Sequence, residues 1–379
     1  MHRIARFVAV IAATATIALG AAGSVLAGSP AVGHVYVNDN TAGRNTVSGF
    51  NRHSDGSLTP IAGSPFDAGG AGLGTPTGSA GALARTPDGR YLLAADAASD
   101  EISVLRVRPN GSLRLVDVES SNGSRPVSVA VSGDLVYVAN VGAGDSNYTG
   151  FRLDRGGHLR PIPGSTFALP DDALPGQVLF GANGHVLVGT RVGPAAGPSF
   201  IDSFVVAADG RLTAAPGSPF PAQRIGPFGS AFRPTNSSQL FVSNAHDGPG
   251  AGSVSAYEVG GDGTLSAIAG SPFADNQTAP CWVAITHDGS TLFAVNTASG
   301  SVSSYAIAAN GRLTLGSTTA LSGSGLAAFD AALSPDDGYL YVVESAGRAI
   351  GILANDGGSL TDLGSIGGIP GAPFGIVVD

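Results

Sequence analysis

The sequence predicts an all-β fold, a seven-bladed β-propeller of four-stranded antiparallel blades, and two observations lead to this prediction. The repeat period of 44 to 58 residues contains only strand-like segments, which suits one propeller blade. An apolar segment that ends in a polar residue also recurs seven times: HVYVN (34–38), YLLAAD (91–96), LVYVAN (135–140), HVLVGT (185–190), LFVSN (240–244), LFAVN (292–296) and LYVVE (340–344).

Each repeat is predicted to hold four strands, lettered A to D from the propeller axis outward. Strand A is a run of small residues, such as VSVAVS (127–132), which suits the crowded axis. Strand B is the recurring apolar segment. Strand C alternates with a period of two, as in SVSAYEV (253–259), which is typical of a half-buried strand. Strand D begins with a leucine in every repeat: Leu58, Leu113, Leu159, Leu212, Leu265, Leu313 and Leu360.

Two short motifs mark the ends of these strands. Asp-Gly or Asn-Gly pairs, such as Asp209-Gly210, join strand C to strand D and are a strong hairpin signal. Four repeats continue after strand D with GSPF or GSTF, where proline should end the ladder and phenylalanine should fill the gap between blades. A ligand loop is the alternative, but fourfold repetition favours a structural role.

The two ends of the chain are predicted to share one blade. The chain contributes strands B, C and D of the first repeat from His34 onward, whereas PFGIVV (373–378) is a strand A alone. Pairing the last strand with the first completes seven blades and removes the free edge strands. We therefore assign the propeller to residues 33–379, after a short linker at 28–32.

Residues 1–27 are interpreted as a signal peptide. Arg3 and Arg6 precede an apolar segment at 7–22, and Val-Leu-Ala at 25–27 fits a cleavage site of small residues. A retained membrane anchor is the alternative, but polar residues interrupt the apolar run and no stop-transfer charges follow it. We expect a secreted or periplasmic, extracytoplasmic protein that does not bind a membrane after cleavage.

Composition excludes several function classes. The single cysteine, Cys281, allows no internal disulfide, so stability must come from packing between blades. All 19 basic residues are arginine, which excludes a Schiff-base or phosphate-loop lysine. Removal of Arg3 and Arg6 takes the formal net charge from −9 to −11, which disfavours nucleic-acid binding. We expect a monomer.

One face of the propeller is predicted to carry the functional site. The A–B and C–D turns share one face and are short, whereas the B–C and D–A loops share the other and vary in length and sequence. The polar residue that ends each B strand is expected to ring the axis opening there. The ligand-binding candidates from this face are Arg125, Arg191, Arg224, Asp247, Asn296 and Arg348.

Two residues are catalytic candidates. Glu344 replaces the usual Asn or Asp at the end of strand B, and a carboxylate in a partly dry funnel could act as acid or base. The alternative is an ion pair with Arg348. His246 precedes Asp247 and could act as a general base, or it could simply be solvated in its glycine-rich loop. The recurring asparagines have the alternative role of strand caps.

Metal and cofactor signals are weak. Asn and acidic side chains near the axis could supply oxygen ligands to Ca²⁺, but most of the side chains predicted there are neutral amides. We therefore assign no metal and no cofactor. The sequence contains no GxSxG, HExxH or CxxC motif, and Cys281 has no histidine beside it, so nucleophilic catalysis has no local support.

Several segments carry a family resemblance. TPDGRYLLAAD (86–96), HDGSTLFAVN (287–296) and SPDDGYLYVVE (334–344) are each followed by a VSxY-like strand and then, in two cases, by a DGxL or NGxL-like turn. In these sequence motifs the chain resembles the lactonase-type seven-bladed propellers, which include 6-phosphogluconolactonases and fungal carboxymuconate cyclases. The resemblance covers nearly all of residues 33–379 and implies lactone chemistry.

The resemblance also implies site residues, and this sequence departs from them. Family enzymes are expected to carry histidine and arginine before an inner strand and an acid after a B strand. The corresponding stretches here are SRPVSVAV (124–131) and APCWVAI (279–285). Arg125 precedes a proline but no histidine follows, and Glu344 is the residue that matches the acid.

The sequence therefore leads to two functional hypotheses. The first is an exported lactonase-like propeller that binds a small ligand or a protein partner on the face of the B–C and D–A loops. The alternative is a lactone hydrolase in which Glu344 or His246 acts as base. An arginine would then hold the substrate or stabilise an oxyanion.

Overall fold

Seven antiparallel sheets make up the computed structural model, which describes residues 29–193, 197–323 and 327–379. This confirms the predicted seven-bladed propeller. The signal peptide assigned to residues 1–27 lies outside the described residues. Within the described ranges, no helix is long and apolar enough to span a membrane.

Blades 1 to 3 contain the first thirteen strands and the last. Blade 1 is completed by β32 (Phe374–Val378), and the others follow chain order: β1 (Ala31–Asn38), β2 (Thr46–His53), β3 (Leu58–Pro60), β4 (Phe66–Asp67), β5 (Leu83–Arg85), β6 (Tyr91–Asp96), β7 (Glu101–Val107), β8 (Leu113–Ser120), β9 (Pro126–Ser132), β10 (Leu135–Asn140), β11 (Asn147–Leu153), β12 (Leu159–Pro161) and β13 (Phe167–Ala168). Blade 2 comprises β5 to β8, and blade 3 comprises β9 to β13.

Blades 4 to 7 begin at β14, β19, β24 and β28 respectively. Their strands are β14 (Pro175–Phe180), β15 (Val186–Arg191), β16 (Phe200–Val206), β17 (Leu212–Ala214), β18 (Phe220–Pro221), β19 (Pro227–Arg233), β20 (Asn236–Asn244), β21 (Ser253–Val259), β22 (Leu265–Ala267), β23 (Phe273–Ala274), β24 (Pro280–Ile285), β25 (Thr291–Asn296), β26 (Ser301–Ile307), β27 (Leu313–Ala320), β28 (Ala328–Leu333), β29 (Tyr339–Glu344), β30 (Ala349–Asp356) and β31 (Ser359–Gly367).

The ring closes through pairing of its last and first strands, as predicted. β32 runs antiparallel to β1, with Val35 opposite Val378 and Val37 opposite Ile376. β1 begins at Ala31, slightly before the predicted start of the propeller, because its extra residues continue to pair with β2. The shared blade removes exposed edges on inner strands, where unpaired backbone groups would be costly.

The alternation of strand direction gives the ring two different faces. We call the face with the B–C and D–A loops, such as 245–252 and 222–226, the loop face. We call the opposite face, with A–B turns such as 86–90 and C–D turns such as 54–57, the turn face.

Packing between blades stabilises the ring without disulfides. Leu93 of blade 2 packs in one core with Val129 and Phe151 of blade 3. Strand-B tyrosines also reach the next blade, since the Tyr137 hydroxyl donates a hydrogen bond to the Gly210 carbonyl at 2.7 Å. Cys281 is buried and free.

The GSPF and GSTF motifs break the outer strand in two. Each of the four blades that carry the motif has two short D segments, whereas blades 2, 6 and 7 have one continuous outer strand. In the break, the motif serine accepts the amide hydrogen bond of strand C. The serine–amide pairs are Ser64 with Gly49 (2.9 Å), Ser165 with Gly150 (3.1 Å), Ser218 with Ser203 (3.0 Å) and Ser271 with Ala256 (2.7 Å).

The motif phenylalanine packs between blades. Phe66 of blade 1 lies against a cluster that includes Tyr36 of its own blade and Leu92 of blade 2. Phe167 and Phe273 pack against clusters in the same way. The serine contact in four blades and the phenylalanine contact in three support a structural role for the motif rather than a ligand loop.

Replacing Ser165 with alanine is expected to lower the free energy of unfolding by about 1–3 kcal/mol. The Ser165 hydroxyl is buried and also donates to the Gly150 carbonyl at 3.0 Å. Alanine therefore leaves the Gly150 amide unpaired, while the Gly150 carbonyl keeps its second hydrogen bond from the Ile162 amide. Urea unfolding measures the loss. Ser266→Ala, on an exposed outer strand, is the control with little expected change; equal effects in both variants would contradict this role.

Candidate functional site

The polar residues that end the B strands do not ring an open axis, contrary to the sequence prediction. Each is at most 1% exposed; they are Asn38, Asp96, Asn140, Thr190, Asn244, Asn296 and Glu344. Glycines of the D–A loops cover several of them closely. A Cβ on Gly70 would stand 2.6 Å from the Asp96 carboxyl, and one on Gly323 would clash with the Glu344 carboxyl. The ring is therefore a buried layer beneath the loop face.

The recurring asparagines cap strands within this layer. Asn296 donates hydrogen bonds from Nδ2 to the hydroxyls of Ser301 (3.2 Å) and Ser303 (2.9 Å). Asn38 donates instead to the carbonyls of Ala82 and Ala95 in blade 2. Asn296 was a ligand-binding candidate, but its side chain is buried and its Nδ2 is bound to these two serines, while Oδ1 has no partner among the described residues.

Glu344 fills the same layer in blade 7. Its Oε1 lies near Gly351, which occupies the position seven residues on where Asp96 and Asn296 have Ser103 and Ser303. The longer side chain thus takes the space of a missing serine. Burial raises the pKa of Glu344, with Asp362 adding to the rise. Among the described residues, Oε2 has no hydrogen-bond partner.

The alternative ion pair between Glu344 and Arg348 is not formed. Arg348 is exposed on the B–C loop of blade 7, and no described carboxylate lies within 4.0 Å of it. Arg125 is likewise exposed, on the D–A loop between blades 2 and 3, where its backbone N–H donates to Asp100 at 2.6 Å. These two arginines lie at different blades and share no pocket described here.

Arg191 is held in a buried ion pair. Its Nε and Nη2 donate to the two carboxylate oxygens of Asp202 at 2.7 and 2.5 Å, and the Tyr148 hydroxyl donates to Asp202 at 3.0 Å. Burial raises the pKa of Asp202, while the pair with Arg191 opposes that rise. The guanidinium also borders a pocket of about 80 Å³, which is too small for most ligands. Arg191 therefore stabilises blade 4 rather than standing free for a ligand.

The loop-face end of the axis is closed by an apolar cluster. Ala80, Val192, Phe228, Ala245 and Cys281 are buried against one another there. Cys281 follows the proline that opens its inner strand, in one of the two stretches where the family resemblance implied a histidine. Burial raises the pKa of Cys281 to about 11, so its thiol stays protonated at neutral pH. This axis end has the composition of a core.

A cleft between blades 4 and 5 brings two of the candidates together. This blade 4–5 cleft has a volume of about 540 Å³ and lies on the loop face. Arg224 is exposed at its edge, and Asp247 enters from the next B–C loop. Its walls are largely apolar, with contributions from Pro198, Phe200, Pro221 and Ile225.

The carboxylate of Asp247 is incompletely paired. Oδ1 accepts a long hydrogen bond from the Ile225 amide at 3.4 Å, and Oδ2 is buried without a partner among the described residues. An acidic and a basic side chain therefore line the same cleft.

His246 lies beside this cleft, with its ring against the backbone of Gly226. A Cβ on Gly226 would stand 2.6 Å from the imidazole, so the contact requires glycine. Burial lowers the pKa of His246 below its usual value, although the Asp247 charge opposes this. Nδ1 is buried without a partner among the described residues. His246 and Glu344 lie in blades 5 and 7, so the structure does not bring them together.

Two further features were not anticipated from sequence. Asp330, in the small-residue inner strand of blade 7, is fully buried, and burial raises its pKa to about 7. The sequence signal that could have revealed this buried acid is its position within a strand of otherwise small or apolar residues. The second is an axial cavity that opens toward the turn face.

The structure offers no calcium site in the part of the chain that it describes. The described ranges hold no cluster of three or more His, Cys, Asp or Glu residues that could bind a metal.

Comparisons with known proteins agree on the fold. The family model described as "Lactonase, 7-bladed beta-propeller" matches residues 44–163 and 231–344, which is more than half of the chain. No curated protein matches the sequence.

Several solved structures superpose on nearly the whole chain. A putative 6-phosphogluconolactonase from Bacteroides fragilis has 21% identity and a TM-score of 0.71, covering 92% of this chain and 98% of that one. One from Bacteroides uniformis has 19% identity and a TM-score of 0.75, with coverages of 92% and 100%. The periplasmic gluconolactonase of Pseudomonas aeruginosa has 18% identity and a TM-score of 0.71, with coverages of 91% and 98%. At these identities the likeness shows the fold alone.

Proposed function

This chain belongs to the seven-bladed lactonase propeller family, and from that premise we propose that it is an exported protein that binds a lactone-like small molecule in the blade 4–5 cleft. We further propose that it acts as a monomer and that it binds the ligand without catalysing its conversion. The observation that carries the proposal is the meeting of Arg224 and Asp247 in one apolar-walled cleft.

The cleft chemistry suits a small polar ring. At about 540 Å³ it falls within the usual size of small-molecule sites, which combine apolar walls with a few placed polar groups. The C–H face of a lactone could pack on Pro221 and Ile225. Its carbonyl would accept from Arg224, and a ring hydroxyl would donate to the carboxylate of Asp247.

Three features favour binding over catalysis. The loop-face end of the axis is apolar. Glu344 is buried in blade 7, away from the cleft between blades 4 and 5. The ring of His246 packs against the backbone of Gly226 and its Nδ1 is buried, which leaves Nε2 as the one ring nitrogen that could take a proton from a ligand. The hydrolytic hypothesis needs a base and an oxyanion donor around one reacting atom.

Export is part of the proposal. The basic start, apolar segment and small-residue cleavage site of residues 1–27 support it. The Pseudomonas aeruginosa structure is described as periplasmic, which is consistent with export within this fold. An extracytoplasmic site would meet sugar or aromatic lactones rather than cytosolic sugar phosphates.

Arg224→Ala and Asp247→Asn are expected to weaken the binding of D-glucono-1,5-lactone or an aromatic lactone at least tenfold, with little change in Tm. Arg224→Ala removes a charged donor and Asp247→Asn removes the charge of an acceptor, each at an exposed or half-buried position, so the fold should tolerate both. Isothermal titration calorimetry measures the change. Arg348→Ala, an exposed arginine on another blade, is the matched control. Parent-like affinity in both cleft variants would contradict the site.

The alternative function, lactone hydrolysis, is favoured by one observation. Burial lowers the pKa of His246, so a neutral imidazole stands beside the cleft and Arg224 at neutral pH. If His246 were the base, a pH-stat would record ring opening faster than in buffer, persisting below pH 6.5 and lost in His246→Ala. Loss in Glu344→Gln would assign the base to Glu344. A rate equal to that of buffer excludes both.

A further inference from the structure

The propeller axis contains a second cavity, separate from the blade 4–5 cleft. It has a volume of about 480 Å³ and is lined by the inner strands of blades 2 to 7. This volume lies within the range of small-molecule sites. None of the residues proposed for the blade 4–5 cleft lines it.

The cavity is closed at the loop face. The apolar cluster around Phe228 and Cys281 fills that end of the axis. Backbone contacts across the axis reinforce it, since the Ala80 amide donates to the Gly176 carbonyl at 2.9 Å. The Asp330 carboxylate accepts from the amides of Gly81 and Gly375, which joins blades 7, 2 and 1.

The other end opens toward the turn face. Exposure rises along the inner strands in that direction: in blade 5, Phe228 is buried whereas Phe232 and Arg233 are partly exposed. Blade 7 behaves alike, from buried Ala328 to partly exposed Leu333. The cavity is therefore a blind axial channel with one mouth.

The channel wall is apolar, and its charges have one sign. Val131, Leu179, Phe232 and Trp282 are among the wall residues, and the two charged residues are both arginines, Arg85 and Arg233. No aspartate or glutamate lines the channel. The protein has a net charge of −9, so a channel whose charged residues are both positive differs in sign from the protein as a whole.

The arginine charges at the mouth are only partly neutralised. Arg233 donates to the carbonyls of Gly289, Ala308 and Ile307 and to Gln239, and no described carboxylate lies within 4.0 Å of it. Arg85 pairs with Asp379 at 3.0 Å, but its buried Nε has no partner among the described residues.

A polar group lies further in. Gln177 is 4% exposed, and its Oε1 accepts from the Ser230 hydroxyl at 2.7 Å. No described residue accepts from its Nε2, which is thus free to donate into the channel.

We propose that the axial channel is a second ligand site, which takes an apolar molecule bearing one carboxylate, such as a medium-chain fatty acid. The carboxylate lies at the mouth near Arg85 and Arg233, and the apolar body extends inward toward Trp282. Removal of that body from water drives binding. The arginines select an anion over a cation of the same shape.

Trp282 provides a direct reporter. It is the sole tryptophan of the chain, it lines the channel, and its Nε1 donates to the Ala331 carbonyl at 2.7 Å. Bromine quenches indole fluorescence on contact. We expect 12-bromododecanoate to quench Trp282 saturably, dodecanoate to reverse the quenching by competition, and dodecylammonium to compete at least tenfold more weakly.

Channel-filling variants localise the effect. Ala231→Phe, in the channel wall, is expected to weaken quenching at least tenfold, whereas Ala222→Phe, in the blade 4–5 cleft, should leave it unchanged. If Ala231→Phe does not fold, Arg85→Gln tests the mouth, with Arg211→Gln, on an exposed turn of the same face, as its control.

Quenching that is absent or non-saturable in the parent would overturn the proposal, as would quenching that Ala231→Phe leaves intact or that dodecylammonium reverses equally well. The readout is independent of lactone binding, so the two proposed sites can succeed or fail separately.

Discussion

Replacing Asp96 with asparagine is expected to stabilise the protein at pH 8 while changing its stability little at pH 4. Asp96 is fully buried at the end of strand B in blade 2, and burial raises its pKa to about 7. Its carboxyl accepts hydrogen bonds from Asn45 (2.7 Å) and Ser103 (2.5 Å), and no cation pairs with it among the described residues.

The sign of the pH dependence follows from the two states. In the unfolded chain Asp96 loses its proton near pH 4, whereas in the folded protein it keeps the proton until about pH 7. The folded state therefore binds more protons between these values. The stability from this group is complete below pH 4 and is lost as the pH rises to 7. The loss is on the order of 4 kcal/mol by pH 8.

The repeat itself supplies the matched control. In blade 6 the equivalent pair is Asn296 and Ser303, also seven residues apart, with Nδ2 donating to the hydroxyl at 2.9 Å. Asp96→Asn recreates that pair in blade 2, and Asn296→Asp creates the blade 2 pair in blade 6. We expect thermal unfolding between pH 4 and 8 to lose part of its pH dependence in the first variant and gain it in the second. Parallel curves for parent and Asp96→Asn would contradict a buried protonated carboxyl.

Replacing Phe374 with alanine is expected to lower the free energy of unfolding by about 3–5 kcal/mol. Phe374 lies in the strand that closes the ring and is fully buried, with its ring centroid 4.4 Å from that of Phe329. It belongs to the same core as Leu93 and Val129 of blades 2 and 3. The variant therefore weakens the packing of the closing strand, which pairs the two ends of the chain.

Urea unfolding measures this loss, and the position of the residue along the strand provides the control. Val378→Ala, in the partly exposed end of the same strand, is expected to cost less, about 1 kcal/mol or below. A loss under 1 kcal/mol for Phe374→Ala would mean that the final strand contributes little to the ring.

Much of the fold was predictable because local signals repeat. Alternating strands, Asp-Gly turns and an unpaired final strand each require the same closed ring. The GSxF motif was interpreted correctly as structural, but its serine was missed. That serine replaces a ladder hydrogen bond, which becomes visible only when the outer strand is seen to break opposite Gly150 and its equivalents.

The site was less predictable because side-chain burial depends on loops from neighbouring blades. The B-strand ends were expected to ring the axis opening, yet Gly70 and Gly323 pack directly over Asp96 and Glu344. Arg191 was expected to be free, although Asp202 within the apolar strand C of blade 4 was a signal, since a buried acid needs a partner. The meeting of Arg224 and Asp247 depends on loop approach, which no local pattern encodes.

Hydrogen–deuterium exchange at pH 5, with and without saturating D-glucono-1,5-lactone, tests the central claim most directly, because it locates a bound ligand without assuming catalysis. We expect slower exchange at residues 221–226 and 245–252, the loops that carry Arg224 and Asp247. Protection confined to the loops around Arg125 or Glu344, or no protection at all, would contradict it.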